Sequence, residues 1–325
     1  MFTWSIADLI FLSLFHNIRR KVALSCFTNI GTMNVRHFKP SLFYAVIMVW
    51  LLAACDRDVT VPSYIYIDSV SFVTQYAIQG SASSNISDVW VTVDGKNMGV
   101  YELPATVPLL ASGPVKIQLQ AGIRKNGISS LRPVYPFYAS YICYTELEKG
   151  RTDTLVPTFS YQSVVSFDFK EDFEDAGIKF SAVDSSPVMG KTSDKNDIFS
   201  HAGEVNHYSG LISLGPDDTY FEVVTNSALK NRQTYTFLEM DYCMTGDIEV
   251  GIYYHYNGRS IQTPIGGIYR TGTLAERRWK KIYMNLTEAV NSNSLVTNYE
   301  VYIKAVKSSS DSAVFLFDNI KIVNM

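Results

Sequence analysis

From Tyr64 onward the chain alternates apolar and polar residues with a period of two, in short runs broken by Gly, Pro and Asp. That pattern leaves room for little besides β-structure. Tyr64-Ile65-Tyr66-Ile67, Ser69 to Val73, Val89 to Val93 and Val115 to Gln120 each place successive side chains on opposite faces of a strand. Asp94-Gly95-Lys96 directly follows the third run and predicts a hairpin turn. The signal returns at Tyr220 to Thr225, Tyr235 to Met244, Ile248 to Tyr256, Lys280 to Leu286, Tyr299 to Val306 and Val314 to Ile322. No helix of convincing length is predicted before about residue 160. Composition agrees: 21 Tyr against 4 Trp, with 47% hydrophobic and 18% charged residues, suits packed β-domains and excludes disorder. A net charge of −3 offers no basic surface for nucleic acid.

The N-terminal region reads differently. Ser41 to Ala54 is almost wholly apolar, too short for a bilayer-spanning helix but of signal-peptide length, and Arg36, His37 and Lys39 supply a positive leader. Leu51-Leu52-Ala53-Ala54-Cys55 closes it, with small residues where a peptidase needs them. This stretch resembles a bacterial lipobox, which implies lipidation of Cys55 and a signal peptide over 33–54. Residues 1–32 do not fit that scheme: their own apolar run, Ile6 to Phe15, contains Asp8. They are read as a non-native extension ahead of a true start at Met33. A diacylated or triacylated cysteine anchors stably where one chain would not. Residues 55–63 then form a lipidated tether, and Asp56-Arg57-Asp58 carries only an interrupted version of an acidic surface-export signal. The expected location is the cell envelope, at the outer membrane, periplasmic or surface-exposed.

Beyond the tether, two β-domains are predicted, 64–160 and 161–325, with Pro133, Pro136 and Pro157 punctuating the exit from the first. Val91-Thr92-Val93-Asp94-Gly95-Lys96 through Gly99, Leu103-Pro104, Pro108 and Gly113 to Leu119 resembles the small sandwich modules of the PEGA-like and carboxypeptidase-regulatory-like type. Together with Tyr135-Pro136-Phe137-Tyr138, it also resembles uncharacterised lipoproteins of the Bacteroidota. In the second domain, Phe173-Glu174-Asp175-Ala176-Gly177, Trp279-Lys280-Lys281-Ile282 and Phe317-Asp318-Asn319-Ile320 form a frame similar to galactose-binding-like jelly rolls, which include many carbohydrate-binding modules. The fold class expected is therefore all-β: a small Ig/PEGA-like sandwich followed by a jelly roll.

That second resemblance implies a structural Ca²⁺ held by Glu174 at the opening of the domain and Asp318 in its closing strand. Ordinary turn acids would give the same residues, and Ca²⁺ would need carbonyls to complete six to eight oxygens. Strand alternation suggests a ligand face. Tyr253 and His255 oppose Ile252 and Tyr254, Glu239 and Asp241 oppose Leu238 and Met240, and Tyr283 and Tyr302 oppose their apolar neighbours. Tyrosines beside carboxylates suit a sugar, whose C–H face stacks on a ring while its hydroxyls donate to acids. A half-exposed aromatic sheet under a loop fits the same pattern.

His201 and His207 match no strand or helix spacing and read as loop residues. No G-x-S-x-G, Walker loop or H-E-x-x-H occurs, no cysteine spacing suggests zinc, and Cys143 and Cys243 read as small buried hydrophobes. The expected function is a membrane-anchored, non-catalytic lipoprotein that binds glycan or serves as a surface accessory. The alternatives are a structural or assembly lipoprotein contacting other envelope proteins, and, behind it, a glycoside-active enzyme.

Overall fold

The computed structural model describes residues 61–325 apart from 274, 277, 293–294 and 308–310. Cys55 and the apolar run before it lie outside the described residues. Among the described residues no helix is long and apolar enough to cross a membrane.

Thr60–Met325 forms one compact unit made of two sandwiches. The first contains β1 (Ser63–Ile67), β2 (Ser71–Val73), the one-turn α1 (Tyr76–Gln79), β3 (Ile86–Val93), β4 (Lys96–Glu102), β5 (Ala105–Leu109), β6 (Gly113–Ile123), β7 (Tyr141–Leu147), β8 (Thr152–Leu155) and β9 (Thr158–Ser160). Its sheets are β5-β1-β8 and β4-β3-β6-β7, with β2 and β9 paired in parallel alongside. Ile65, Ile67, Val89, Val91, Val107, Ile117 and Leu119 point inward and are fully buried, as the period-two pattern requires. Asp94 and Gly95 sit at φ 47° and 80°, the left-handed pair that a two-residue hairpin needs, and Asp94 Oδ1 accepts the Lys116 N–H at 2.8 Å. Pro108, which has no N–H to give, lies on the edge strand β5.

The second sandwich runs β10 (Ser166–Glu171), β11 (Phe180–Ala182), β12 (Gly190–Thr192), β13 (Ser209–Leu214), β14 (Tyr220–Thr225), β15 (Leu229–Lys230), β16 (Thr236–Met244), β17 (Ile248–Tyr256), β18 (Arg259–Ile268), β19 (Lys280–Asn285), α2 (Thr287–Asn291), β20 (Asn298–Val306) and β21 (Ala313–Asn324). One sheet has the order β12-β13-β21-β16-β19, with β10 also on β21. The other has the order β11-β14-β20-β17-β18, with β15 also on β20. Between them lie Phe173, Phe221, Leu238, Met240, Val250, Ile252, Ile303, Phe315 and Phe317.

The outer face of the β21-β16-β19 sheet is not open to water. Tyr135, Phe137, Tyr138 and Tyr161, from the connections flanking β7 and β9, pack onto it. Tyr135 lies 5.4 Å from the ring of Phe237 and 4.8 Å from that of Tyr283. Phe237, Tyr283 and Val323 consequently belong to the apolar core of the first sandwich.

A polar network is sealed in with them. Glu239, wholly buried, accepts hydrogen bonds from the Tyr135 hydroxyl at 2.8 Å and the Tyr161 hydroxyl at 2.9 Å. The Lys281 ammonium stands 3.6 Å from Glu239 and 3.6 Å from Asp241. Ser83 donates to Asp241 at 2.8 Å, and Lys321 donates to the Ser81 carbonyl at 2.6 Å. Burial pushes the Tyr135 and Tyr161 hydroxyls well up, and the Glu239 carboxylate adds to it, so both stay protonated donors. Burial also drives Lys321 down to about 7, against the pull of Glu239.

Three expected ligand contacts are thereby corrected. Glu239, Asp241 and Tyr283 do turn away from the jelly-roll core, but the first sandwich covers them, leaving 0%, 1% and 1% exposed. Strand alternation tells one face of a sheet from the other; it does not tell water from a second domain.

Candidate functional site

The remaining expected ligand residues meet on the opposite sheet, which keeps an outward face. Register places Gly251 beside Tyr302, Tyr253 beside Glu300, and Glu249 and Glu222 on either side of Lys304. Gly251 is what lets the central ring lie flat. A Cβ there would come within 2.4 Å of the Tyr302 ring and 2.5 Å of the Thr263 carbonyl. Tyr253 leans against Tyr302, ring centroids 5.2 Å apart at 52°.

Each tyrosine is pinned by its hydroxyl. Tyr302 donates to Glu249 at 2.7 Å. Tyr253 and Tyr220 both donate to Glu222, which takes a third bond from the Gln262 amide at 3.0 Å. Lys304 pairs with Glu249 at 2.9 Å and lies 5.2 Å from the Tyr302 ring centre. Burial, then the neighbouring carboxylates, raises the Tyr302, Tyr253 and Tyr220 hydroxyls, so they remain protonated. Burial alone would raise Glu249 as well, but the bonds from Lys304 and Tyr302 outweigh it and hold the carboxyl below its ordinary range.

Tyr302 itself is wholly covered and acts as the bed on which Tyr253 rests. Half-exposed Tyr253, exposed His255, which stands 3.4 Å from Glu300, and exposed Gln262 form the surface a ligand would meet. Sequence reasoning missed Glu222, Tyr220 and Gln262 as partners. Gly251, a lone glycine inside an apolar alternation, was the available signal for a ring lying close to the backbone.

Glu174 and Asp318 do not assemble a calcium shell as placed. Both Glu174 oxygens are engaged by His207 and Tyr208: Oε1 accepts their backbone N–H groups at 2.8 and 3.0 Å, and Oε2 meets the His207 ring at 2.9 Å. Asp318 accepts the Ser209 hydroxyl at 2.5 Å and the Asn319 N–H at 2.8 Å. Among the described residues no group of three or more His, Cys, Asp or Glu could hold a metal. Chelation decides between the two readings of these acids: a fall in melting temperature reversed by added Ca²⁺ would show that carbonyls complete a shell, and an unchanged curve would leave Glu174 and Asp318 as ordinary turn acids.

Burial raises the Asp318 carboxyl to about 8, against the bonds from Ser209 and Asn319. The folded state thus keeps a proton that the unfolded chain releases near pH 4, and this contribution to stability falls as pH rises from there to about 8. Asp318→Asn, which mimics the protonated form, should gain on the parent across that window by an amount on the order of a few kcal/mol. Denaturant melts at pH 4.5, 6 and 8 would show a difference that widens with pH; a constant difference would refute the burial account.

No protein-family model and no curated protein matches the sequence. Solved structures that do match include the tandem family 22 carbohydrate-binding modules of Paenibacillus barcinonensis Xyn10C, at 13% identity and TM-score 0.35, covering 75% of each chain. A family 11 module of the Clostridium thermocellum cellulase Lic26A-Cel5E matches at 14% identity and TM-score 0.33, covering 50% of this chain and 97% of that one. A Caldicellulosiruptor saccharolyticus module, CBM27-1, solved with mannohexaose, matches at 11% identity and TM-score 0.33, covering 49% and 97%. Likenesses this loose assign neither a ligand nor residue roles.

Proposed function

We propose that this chain is a non-catalytic glycan-binding accessory protein, held at the outer membrane by lipid on Cys55, and that the glycan lies across the outer face of β14, β20, β17 and β18. One observation carries the reading: Tyr253 is braced on a tyrosine laid flat over Gly251, and each ring is fixed at its hydroxyl by a carboxylate. A preset ring stacks on sugar C–H surface without further ordering cost, while Gln262, His255 and Glu300 offer polar partners at its margin. The two carboxylates support binding over hydrolysis. Glu222 already accepts from three donors and Glu249 is tied to a lysine and a tyrosine, so neither stands ready as a proton donor to a glycosidic bond.

A glycan array on the full chain, followed by titration of the best hit, tests this. Tyr253→Ala should weaken that hit by at least about tenfold, and Cys55→Ser should release the chain from membranes without changing the affinity. A blank array, or a Tyr253→Ala chain that binds like the parent, would sink the glycan reading and favour a protein-contacting envelope role. A Cys55→Ser chain that still fractionates with membranes would sink the anchor.

A further inference from the structure

A cavity of about 370 Å³ lies where the two sandwiches meet, and none of Tyr253, His255 or Gln262 lines it. Its walls are the edge strands β18 and β19 and the 126–128 turn of the first sandwich. That turn is held firmly: the Asn126 N–H donates to the Tyr283 carbonyl at 2.8 Å, and Asn126 Oδ1 accepts the Asn285 N–H at 2.8 Å. The floor is apolar, with Tyr242, Ile282 and Met284. At the rim stand Arg270, Lys280 and the ring of Tyr269, which is 79% exposed. No carboxylate lines the cavity. Asp247 holds only the backbone N–H of Arg270, at 2.8 Å, and among the described residues neither the Arg270 guanidinium nor the Lys280 ammonium has an acidic partner.

Two cations without acidic partners thus stand beside an exposed ring, over an apolar floor. The volume falls within the range of small-ligand sites, about 300–1,000 Å³. An arginine fork matches a carboxylate or sulfate with paired hydrogen bonds, and a lysine adds a point charge. A tyrosine face takes the C–H side of a pyranose. We infer that this cavity binds an acidic saccharide unit, a uronate or a sulfated sugar, with its anion on Arg270 and Lys280 and its ring against Tyr269. This site does not depend on the Tyr253 face, so either can fail alone.

Isothermal titration of the full chain with trigalacturonate, a sulfated galactotriose and neutral galactotriose tests it. At least one acidic probe should bind, and which one does identifies the anion. Arg270→Ala/Lys280→Ala should weaken that binding by at least about tenfold, whereas Tyr253→Ala should leave it within about twofold. Both cations are exposed, so melting curves of the double variant should match the parent. The inference is overturned if neither acidic probe binds, if the double variant binds as the parent does, or if the neutral trisaccharide displaces the acidic one at equal concentration.

Discussion

Glu239→Ala is expected to lower stability by about 3–5 kcal/mol, which in a body of this size moves the melting temperature down by roughly 10 °C. The side chain is wholly buried and answers two tyrosine hydroxyls and the Lys281 ammonium. Its removal leaves the two hydroxyls in a dry junction without their acceptor and leaves the Lys281 ammonium with Asp241 alone, and buried polar groups stripped of partners are costly. Glu239→Gln keeps an acceptor for the tyrosines but not the charge opposite the lysines, so a smaller loss should follow. Thermal melts of the three proteins would check this order; an alanine variant within about 1 kcal/mol of the parent would mean that water reaches the junction.

Gly251→Ala should cost about 1–3 kcal/mol and also abolish glycan binding, because one methyl group collides with the Tyr302 ring and the Thr263 carbonyl. A double-mutant cycle separates the causes. If the clash with the ring is what matters, Tyr302→Ala should recover part of the stability lost at Gly251, with a coupling of about 1 kcal/mol or more. Additive losses would place the strain at the Thr263 carbonyl instead. Neither single variant should restore binding, since one shifts the bed under Tyr253 and the other removes it.

Strand positions and facing were legible in the sequence because both depend on the two-residue repeat. Leu238, Met240 and Tyr242 turn inward and Phe237, Glu239 and Asp241 outward, as the alternation says. What covers an outward face was not legible. The rings that bury Glu239 come from residues 135 and 161, far off in the chain, and Tyr135-Pro136-Phe137-Tyr138 shows no strand pattern that would announce a docking surface. The Tyr253 site was half legible. Tyr253, His255 and Tyr302 could be assigned to one face by parity, but Glu222 reaches them only through the β14-β20 register, which a single sequence does not encode locally. Arg270 belongs to no motif and Lys280 stood out only as part of the Trp279-Lys280-Lys281-Ile282 frame; the cavity beside them exists only once two separate domains are in contact.

β21 follows in the chain every strand with which it pairs, β10, β13 and β16, yet it lies at the heart of their sheet. Lys321, on that same strand, also reaches back across 240 residues to the Ser81 carbonyl. A nascent chain can therefore finish the hairpins of the first sandwich early, while β10, β13 and β16 wait with open edges until β21 is made. Such edges invite pairing with neighbouring chains. Biosynthesis of this protein should thus lean on a holding chaperone right up to the emergence of its C-terminal strand, and messages truncated just before codon 313 should yield aggregates rather than a shorter soluble body.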